Sequence, residues 1–329
     1  MNLNSELQNR ENVKIGRRGS ASVDVIIPTY RPDAKFRKIL ALLKRQTVLP
    51  DHIIVYNTEE AFWDREAEKV YPGLRVRHIR KKEFDHGATR HAAACESDAD
   101  IIIFMTQDAV PADDRLIDNL TAPIRHKKAN ICYARQLANK DAGLIERTAR
   151  EFNYPSVSRY KTIGDAEELG IKTFFCSDVC AAYDRKTYLS YGGFPRPVIF
   201  NEDMIFAGRA VEAGETICYA ADARVFHSHD LTSHQSFKRN FDLGVSQADY
   251  AELFDRYPAV GEGKKLIRTT ADVIKKEGKY YLLFPLFWSG VSKYAGYWFG
   301  KHYKKLPKGL VRRFTSDPGY WDRKEQSDV

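Results

Sequence analysis

The sequence predicts an α/β fold built on a doubly wound, mainly parallel central sheet with flanking helices. Three observations favour this class. Four short apolar segments in roughly the first hundred residues have the pattern of strands, helical segments alternate with them, and several of the strands end abruptly in polar residues. Strands that alternate with helices form βαβ units with parallel strands, and such sheets bind ligands at the carboxyl ends of their strands.

The predicted elements follow from local patterns. Phe36, Ile39, Leu40 and Leu43 recur at helical spacing, and Asp33 is placed to cap that helix. In chain order we expect a strand at Val23–Pro28, this first helix, a strand at His52–Tyr56, helical character from Ala61 to Tyr71, a strand at Leu74–Ile79, a small-residue helix at Gly87–Cys95 and a strand from Asp100.

Composition narrows the class of protein. The chain has 329 residues, 43% of them apolar, which is enough for one large α/β domain with an appendage or for two modest domains. The five cysteines are odd in number and form no C-x-x-C pair, which indicates free thiols in a reducing compartment and disfavours a zinc site. Residues 1–20 form a polar lead-in without the apolar core of a signal peptide, so we expect a cytoplasmic location.

The stretch from Asp100 to Pro111 (D-I-I-I-F-M-T-Q-D-A-V-P) is the centre of the prediction. Its apolar run indicates a buried strand that ends abruptly and presents Asp108 at its C-terminal edge. A carboxylate at that edge lies where open α/β sheets bind ligands. The alternative is that Asp108 merely starts a turn before Pro111.

No G-x-G-x-x-G follows the first strand, and G-x-x-x-x-G-K-[ST] is absent from the sequence. A dinucleotide site of the Rossmann type and a P-loop are therefore disfavoured. A nucleotide can still bind at the strand ends, with Thr29, Tyr30, Asn57 and Glu59 around it and Arg90 reaching its phosphates.

Five motifs occur in the order and at about the separations seen in family 2 glycosyltransferases. They are P-T-Y-R-P at 28–32, F-D-H-G-A-T-R-H at 84–91, T-Q-D at 106–108, N-E-D-M at 201–204 and H-S-H at 227–229. Within that family the chain most resembles bacterial rhamnosyltransferases that use dTDP-L-rhamnose, over a stretch from Ser22 to Phe254. The resemblance implies a GT-A (Rossmann-like) fold, a nucleotide-sugar donor, Mg²⁺ or Mn²⁺, and inversion at the anomeric carbon.

Carried over motif by motif, the resemblance implies a donor site at these strand ends. The nucleotide-sugar-binding residues it implies are Pro28, Thr29, Tyr30, Asn57, Glu59, Asp85, Gly87, Arg90, Gln107 and Asp108. Two positions depart from the family pattern: Thr106 replaces the first acid of the usual D-x-D, and Asn57 replaces an acid that often contacts the nucleobase. We therefore expect weaker metal binding than at a two-acid site, and the base preference stays open.

The chemistry of sugar transfer indicates a metal site. Breaking a sugar–diphosphate bond builds negative charge on the leaving group, which a dication held by oxygen and imidazole ligands stabilises. We expect Asp108 and one histidine to be the ligands. His227 is favoured because it follows the apolar Val225–Phe226 pair, and His229 is the alternative, since strand alternation directs both to the same face. Both histidines can also be ordinary polar loop residues.

A base must take the proton of the acceptor hydroxyl. Asp203 is our candidate general base, and Glu202 is its partner in orienting Asp203 or the acceptor. Acids in the first turn of a helix are also favoured by the helix dipole alone. The segment Phe174–Tyr183 has the pattern of a central strand, so Asp178 within it is expected to line the cleft and contact the acceptor, or to pair with a base such as Arg185.

The C-terminal segment differs in charge. From Arg256 to the end there are 16 Lys+Arg against 7 Asp+Glu, a net charge of +9, which leaves 36 against 37, a net of −1, for the rest. Tyr280–Phe299 is aromatic-rich but is interrupted by Pro285 and Lys293, so it suits a membrane interface better than a membrane span. The alternatives are packing on the catalytic domain or on a partner subunit. The sequence shows no nucleic-acid-binding motif.

The sequence therefore predicts three regions: a lead-in at 1–20, a GT-A domain at 21–255, and a basic, aromatic, helical extension at 256–329. The predicted activity is inverting transfer of a deoxyhexose to a lipid-linked or growing cell-surface polysaccharide by a cytoplasmic, peripheral membrane enzyme, with homo-oligomers possible. A catalytically silent sugar-nucleotide-binding subunit is the alternative, motivated by the incomplete D-x-D. A nucleotidyltransferase is a lesser option.

Overall fold

A computed structural model of the protein describes residues 21–71, 73–228, 231–257 and 261–327. Within these residues one nine-stranded sheet is flanked by helices. The strands are β1 (Val23–Tyr30), β2 (His52–Thr58), β3 (Arg75–Ile79), β4 (Ile101–Met105), β5 (Val110–Pro111), β6 (Ile131–Leu137), β7 (Arg159–Lys161), β8 (Cys180–Asp184) and β9 (Ile217–Phe226).

Helices cover both faces of the sheet and form the C-terminal part. They are α1 (Ala34–Leu43), α2 (Glu66–Val70), α3 (His86–Glu96), α4 (Leu116–Arg125), α5 (Leu144–Asn153), α6 (Ala166–Leu169), α7 (Arg185–Ser190), α8 (Glu202–Glu212), α9 (Ser233–Asp249), α10 (Ala251–Phe254), α11 (Glu262–Lys276), α12 (Leu283–Lys301), α13 (Lys308–Phe314) and α14 (Pro318–Ser327). As predicted, the Asp33 side chain caps α1 by accepting from the Lys35 N–H.

The strands follow the order β3-β2-β1-β4-β8-β6-β9-β5, and β7 pairs with the first residues of β9, on the edge whose last residues pair with β5. β3, β2, β1 and β4 are mutually parallel, β8 is antiparallel to β4 and to β6, and β9 is parallel to β6. Most strands therefore run in one direction, and the predicted mainly parallel α/β class is confirmed. The carboxyl ends of β1, β2, β4, β6 and β9 all meet at one edge of the sheet.

Side-chain alternation along the strands divides the core into two layers. In β1, Val25 and Ile27 pack with α1 on one face, whereas Ile26 packs with α3 and α8 on the other. The second face is rich in aromatic rings: Phe104 of β4 and Tyr183 of β8 lie in edge contact with ring centroids 5.5 Å apart. This aromatic layer supports the start of α8, which carries two predicted site residues.

Two predicted elements can be compared directly with the structure. The stretch Asp100–Pro111 is confirmed as a buried strand, β4, that ends at Met105 shortly before Asp108, and the two-residue β5 follows the loop 106–109. Phe174–Tyr183 is not one strand: 170–174 is a 3₁₀ helix and β8 starts only at Cys180. The Asp178 N–H donates to the Asp203 carboxylate and not to a neighbouring strand, so this part of the segment lies outside the strand ladder.

The C-terminal helices pack on the rest of the chain through glycines. A Cβ on Gly296 of α12 would lie 2.2 Å from the carbonyl oxygen of Phe237 in α9, and one on Gly300 would lie 2.1 Å from that of Phe241. The two helix backbones therefore approach at a distance that excludes any larger residue. Within the described part of the chain, no helix is both long and apolar enough to cross a bilayer.

Candidate functional site

A cleft of about 960 Å³ opens at the edge of the sheet where β4 ends. One wall comes from the loop after β4 and the end of β9, which contribute Asp108 and His227. Further lining residues come from the start of α8 with Asp203, and from α9 and α12 with Arg239 and Lys293. The cleft thus combines both predicted halves of the site in one cavity, together with a wall from the C-terminal helices.

Sheet register explains why Asp108 and His227 meet. β5 and β9 are antiparallel, with Val110 opposite Phe226, so Asp108 just before β5 and His227 just after β9 face each other. Oδ2 of Asp108 lies 3.5 Å from Nε2 of His227. His227 is buried, with 5% of its side chain exposed, whereas Asp108 is 27% exposed on the side of the cleft.

Gln136 of β6 determines which histidine nitrogen faces Asp108. Its amide oxygen lies 3.0 Å from Nδ1 of His227, and an amide oxygen can only accept, so a neutral His227 carries its proton on Nδ1. Nε2 then directs its lone pair toward Asp108. The Gln136 amide is itself held by the Arg150 guanidinium and by the Ser177 hydroxyl, to which it donates at 3.0 Å.

This donor set fits a divalent cation. A carboxylate oxygen and an imidazole lone pair converge, and an outer partner fixes the imidazole orientation, which is the usual arrangement around metal-binding histidines. Groups of three or more His, Cys, Asp or Glu that could hold a metal do not occur among the described residues. His229, the alternative ligand, lies outside the described residues.

The second half of the site is a cluster of acids around one arginine. Nη1 of Arg90 lies 3.2 Å from Oε1 of Glu202, and its Nε lies 3.6 Å from Oδ2 of Asp178. All three side chains are at least nine-tenths buried. The Tyr183 hydroxyl donates to Oδ1 of Asp178 at 2.7 Å, and the Asp178 N–H donates to Oδ2 of Asp203 at 3.0 Å. The carboxylate of Asp203 is therefore held by backbone at the edge of this buried cluster.

Asp203 has the properties of a base near neutral pH. Burial, together with the negative charge of Glu202, raises the pKa of Asp203 to about 7, against the opposing effects of two backbone N–H donors and Arg90. The pKa of Asp178 is also raised well above its ordinary value, through burial and the charge of Asp203. A carboxyl with a pKa near 7 can accept a proton from a hydroxyl and release it again to water.

The loop that precedes α8 positions these acids. Asn201 directly before the helix has φ = 63°, a left-handed conformation that is uncommon outside glycine. Asp85, at the N-cap of α3, also accepts from the Val198 N–H at 3.1 Å, and a Cβ on Gly87 would lie 2.0 Å from the Pro195 oxygen. Asp85 and Gly87, predicted to bind the nucleotide sugar, thus hold the loop before Asn201 against α3.

Arg90 also differs from its predicted role. We expected it to reach the phosphates of a nucleotide, but its guanidinium is buried between Glu202 and Asp178. The same contact agrees with the expectation that Asp178 pairs with a nearby base, and that base is Arg90, not Arg185. Arg90 therefore neutralises the acid cluster, and its contacts belong to the Asp203 half of the cleft.

The predicted nucleotide residues lie at the ends of β1 and β2. Thr29 and Asn57 are buried and bond to each other, with the Thr29 hydroxyl 3.0 Å from Oδ1 of Asn57. Pro28 and Glu59 are half-buried, whereas Tyr30 is exposed. Thr29 and Asn57 thus stabilise the strand ends from within the core. Tyr30 and Glu59 are the members of this group that a nucleotide can contact.

Gln107 connects this region to Asp108. Its side-chain amide donates to the Tyr30 carbonyl oxygen at 3.0 Å and accepts from the Tyr30 N–H at 2.9 Å. These two bonds brace the loop that carries Asp108 against the end of β1, and Gln107 also lines the cleft.

Sequence reasoning missed several contributors to the cleft. Gln136 and Arg150 orient His227, but glutamine and arginine in a strand and a helix carry no local signal of such a role. From the C-terminal extension, Pro285, Ser289 and Lys293 of α12 line the cleft. Their spacing of four residues places them on one helix face, and that periodicity is the signal that could have identified them.

Comparisons with solved structures define the class of protein. The mannosyltransferase PcManGT from Pyrobaculum calidifontis, solved with GDP-Man and Mn²⁺, aligns over 87% of this chain and 88% of its own with a TM-score of 0.58 and 14% identity. Residues 1–349 of S. aureus TarS, solved with UDP, align over 86% of this chain and 91% of theirs with a TM-score of 0.50 and 13% identity. The fold is that of the GT-A glycosyltransferases.

The sequence comparisons identify the family. The profile of Glycosyl transferase family 2 matches residues 24–192, and the chain belongs to this family and is a glycosyltransferase. It is 35% identical over 93% of its length to the O-antigen chain rhamnosyltransferase RfbN of Salmonella typhimurium, of which 98% is covered. It is 32% identical to the O-antigen chain rhamnosyltransferase WbaN of Salmonella anatum, again over 93% of this chain and 98% of the relative.

Proposed function

We propose that this glycosyltransferase moves L-rhamnose from dTDP-rhamnose, with inversion, onto a lipid-linked or growing cell-surface polysaccharide. The names of RfbN and WbaN support rhamnosyl transfer to an O-antigen chain. The observation that carries the mechanism is that Asp203, with a pKa of about 7, lines the same cleft as the Asp108–His227 pair.

The donor end of the cleft lies at Asp108. The nucleotide binds along the ends of β1 and β2 against Tyr30 and Glu59, with the diphosphate toward Asp108. Asp108 and His227 would hold Mn²⁺ or Mg²⁺, which stabilises the negative charge of the departing diphosphate. The imidazole ligand favours Mn²⁺, the ion present with GDP-Man in PcManGT.

The acceptor end lies at Asp203. The acceptor hydroxyl donates to the Asp203 carboxylate, which takes the proton as the oxygen forms its bond to the anomeric carbon and the bond from that carbon to the diphosphate oxygen breaks. A single displacement of this kind inverts the anomeric configuration. Arg90 pairs with Glu202, and the Glu202 charge raises the pKa of Asp203 so that Asp203 is basic enough to take the proton. Asp178 holds Asp203 through its backbone N–H and closes the floor of the acceptor site.

The alternative of a catalytically silent subunit is not favoured. Both relatives are named rhamnosyltransferases, and the similarity covers nearly their whole length. In addition, Asp203 and the Asp108–His227 pair line one cleft. A silent subunit would release no nucleotide from its donor with or without EDTA. We expect dTDP release that depends on acceptor and is suppressed by EDTA.

Substitution of the base is the direct test. Asp203→Asn keeps the shape of the side chain but cannot take the proton, so transfer should fall about 10²–10⁴-fold. Binding of dTDP, followed by calorimetry, should be nearly unchanged, because the nucleotide lies at the other end of the cleft. Asp98→Asn, at an exposed position before β4 and outside this cleft, is the matched control and should transfer rhamnose normally. Near-normal turnover in Asp203→Asn would remove Asp203 from the mechanism.

A further inference from the structure

Helix α12 has two faces with different surroundings. Pro285, Ser289 and Lys293 line the cleft, and Gly296 packs against α9 on the same side. On the opposite side, residues three and four apart form an apolar stripe. No other part of the described chain buries these side chains. The stripe, which we call the outer face of α12, consists of Phe284, Phe287, Trp288, Val291, Tyr294 and Trp298.

The exposure of this face is unusual for a water-facing surface. Phe284 and Tyr294 are each 70% exposed and Phe287 is 61% exposed. Among the described residues, 8 of the 17 exposed large apolar side chains lie between Tyr280 and Trp298. Such a concentration of aromatic rings on one helix face marks a surface that is covered in use.

Basic residues bracket the outer face of α12 along its axis. Lys275 and Lys276 end α11 before it, and Lys304 and Lys305 follow it. All four are exposed, and none forms an ion pair within the described part of the chain. Two pairs of cations are thus available at the two ends of a helix of 19 residues, which is about 28 Å long at 1.5 Å per residue.

We propose that the outer face of α12 docks the enzyme on a bilayer that contains anionic lipids. Tryptophan and tyrosine are the residues that prefer the headgroup level of a membrane, and lysines beside them attract its negative surface. The helix lies in the interface and does not span it, in agreement with its interruption by Lys293 and with the absence of a spanning helix among the described residues.

A second copy of this chain is the weaker choice of occupant. The segment from Arg256 to the end has a net charge of +9, so two copies joined through this face would bring like charges together. A negatively charged bilayer complements the same charges. The inner face of α12 lines the cleft, so docking through the outer face holds the cleft beside the membrane surface. That this surface contains the lipid-linked acceptor rests on the proposed function.

Vesicle binding of the full-length protein tests the docking surface without any transfer assay. Wild-type protein should sediment with vesicles of phosphatidylethanolamine and phosphatidylglycerol, and should bind vesicles of phosphatidylcholine much more weakly. Phe284→Ser/Phe287→Ser should reduce binding about tenfold or more, because two aromatic rings no longer enter the interface. Lys304→Gln/Lys305→Gln should reduce it about fivefold for each charge removed, with the loss disappearing at high salt.

The matched control is Val157→Ser/Ile163→Ser, which removes two exposed apolar residues away from α12 and should bind like wild type. Wild-type protein that stays in solution at low salt overturns the proposal, as does a Phe284→Ser/Phe287→Ser variant that binds normally. Size-exclusion chromatography with light scattering adds a third outcome: a dimer that this variant converts to monomer would show that a second copy covers the face, and would also overturn it.

Transfer assays separate this proposal from the proposed function. With a water-soluble acceptor, Phe284→Ser/Phe287→Ser should transfer rhamnose at the wild-type rate, whereas KM for an acceptor embedded in vesicles should rise about tenfold. Equal KM values in vesicles overturn the link between docking and acceptor. Failure of wild type to transfer rhamnose to either acceptor, with vesicle binding intact, would instead refute the proposed function and leave the docking surface standing.

Discussion

The two ends of the cleft place an aspartate in opposite environments. Asp108 is partly exposed and faces one imidazole, whose other nitrogen is held by a neutral amide. Asp203 lies beside two further carboxyls, Asp178 and Glu202, that share a single arginine. The same side chain is therefore suited to bind a cation at one end and to take a proton at the other, because its neighbours differ.

The comparison shows that charge balance, rather than residue type, separates the two roles. At the Asp203 end burial and repulsion between acids make ionisation costly, so the pKa of Asp203 rises to about 7. At the Asp108 end the group that faces the carboxylate is the His227 imidazole, and Lys35, Lys38 and Asp141 line the adjoining pocket. If this account is right, removing charge at one end should leave the chemistry of the other intact.

The largest expected effect is on stability, at Arg90. Arg90→Gln leaves the buried carboxyls of Asp178 and Glu202 without their cation, so the free energy of unfolding at neutral pH should fall by about 3–5 kcal/mol. Urea denaturation measures it. The matched control is Arg77→Gln, whose guanidinium is 63% exposed and pairs with Glu96 at the surface, and which should cost about 1 kcal/mol or less. Equal losses in the two variants would contradict a special role for the Arg90 cluster.

An intermediate effect is expected at Gln136. Gln136→Leu removes the acceptor that fixes the proton of His227 on Nδ1, so the affinity of the dTDP-bound protein for Mn²⁺ should fall about 10–100-fold. Calorimetric titration of Mn²⁺ measures this without any transfer assay. Gln46→Leu is the control, because Gln46 is also buried and hydrogen-bonded but bonds to Leu42, Asp113 and Ile117 away from the cleft. Unchanged Mn²⁺ affinity in Gln136→Leu would show that His227 is not a ligand.

The sequence predicted the fold class and the Asp108–His227 pair for a simple reason. Strand periodicity is local, and each residue comes within three positions after an apolar run, so each was assigned to a strand end. Residues at the carboxyl ends of neighbouring strands meet at one edge of a sheet. The Asp203 position followed likewise from its place in the first turn of a predicted helix.

Local sequence patterns could not predict the acid cluster around Arg90 or the contribution of α12 to the cleft. Arg90 and Glu202 lie 112 positions apart (202 − 90), and nothing local to either indicates that a buried ion pair joins them. Asp85 and Gln107 belong to recognisable motifs, but only the structure shows that their side chains are engaged with backbone of neighbouring loops. The α12 segment was expected to be peripheral, because aromatic residues predict burial or a membrane interface and do not indicate a cleft.

The smallest expected effect is also the most direct test of the central claim that Asp203 is the base. A base acts when ionised, so kcat/KM for transfer should rise as the pH passes through about 7 and level off above it. Burial is the largest cause of the raised pKa of Asp203 and the charge of Glu202 is the next. Glu202→Gln removes that charge and should therefore move the limb of the pH profile to lower pH.

The decisive measurement is the pH dependence of kcat/KM for wild type and Glu202→Gln, recorded side by side at saturating Mn²⁺. The account predicts a single ascending limb near pH 7 in wild type and the same limb at lower pH in the variant. A limb that stays in place in Glu202→Gln, or that moves to higher pH, would contradict the assignment of Asp203 as the group that takes the proton.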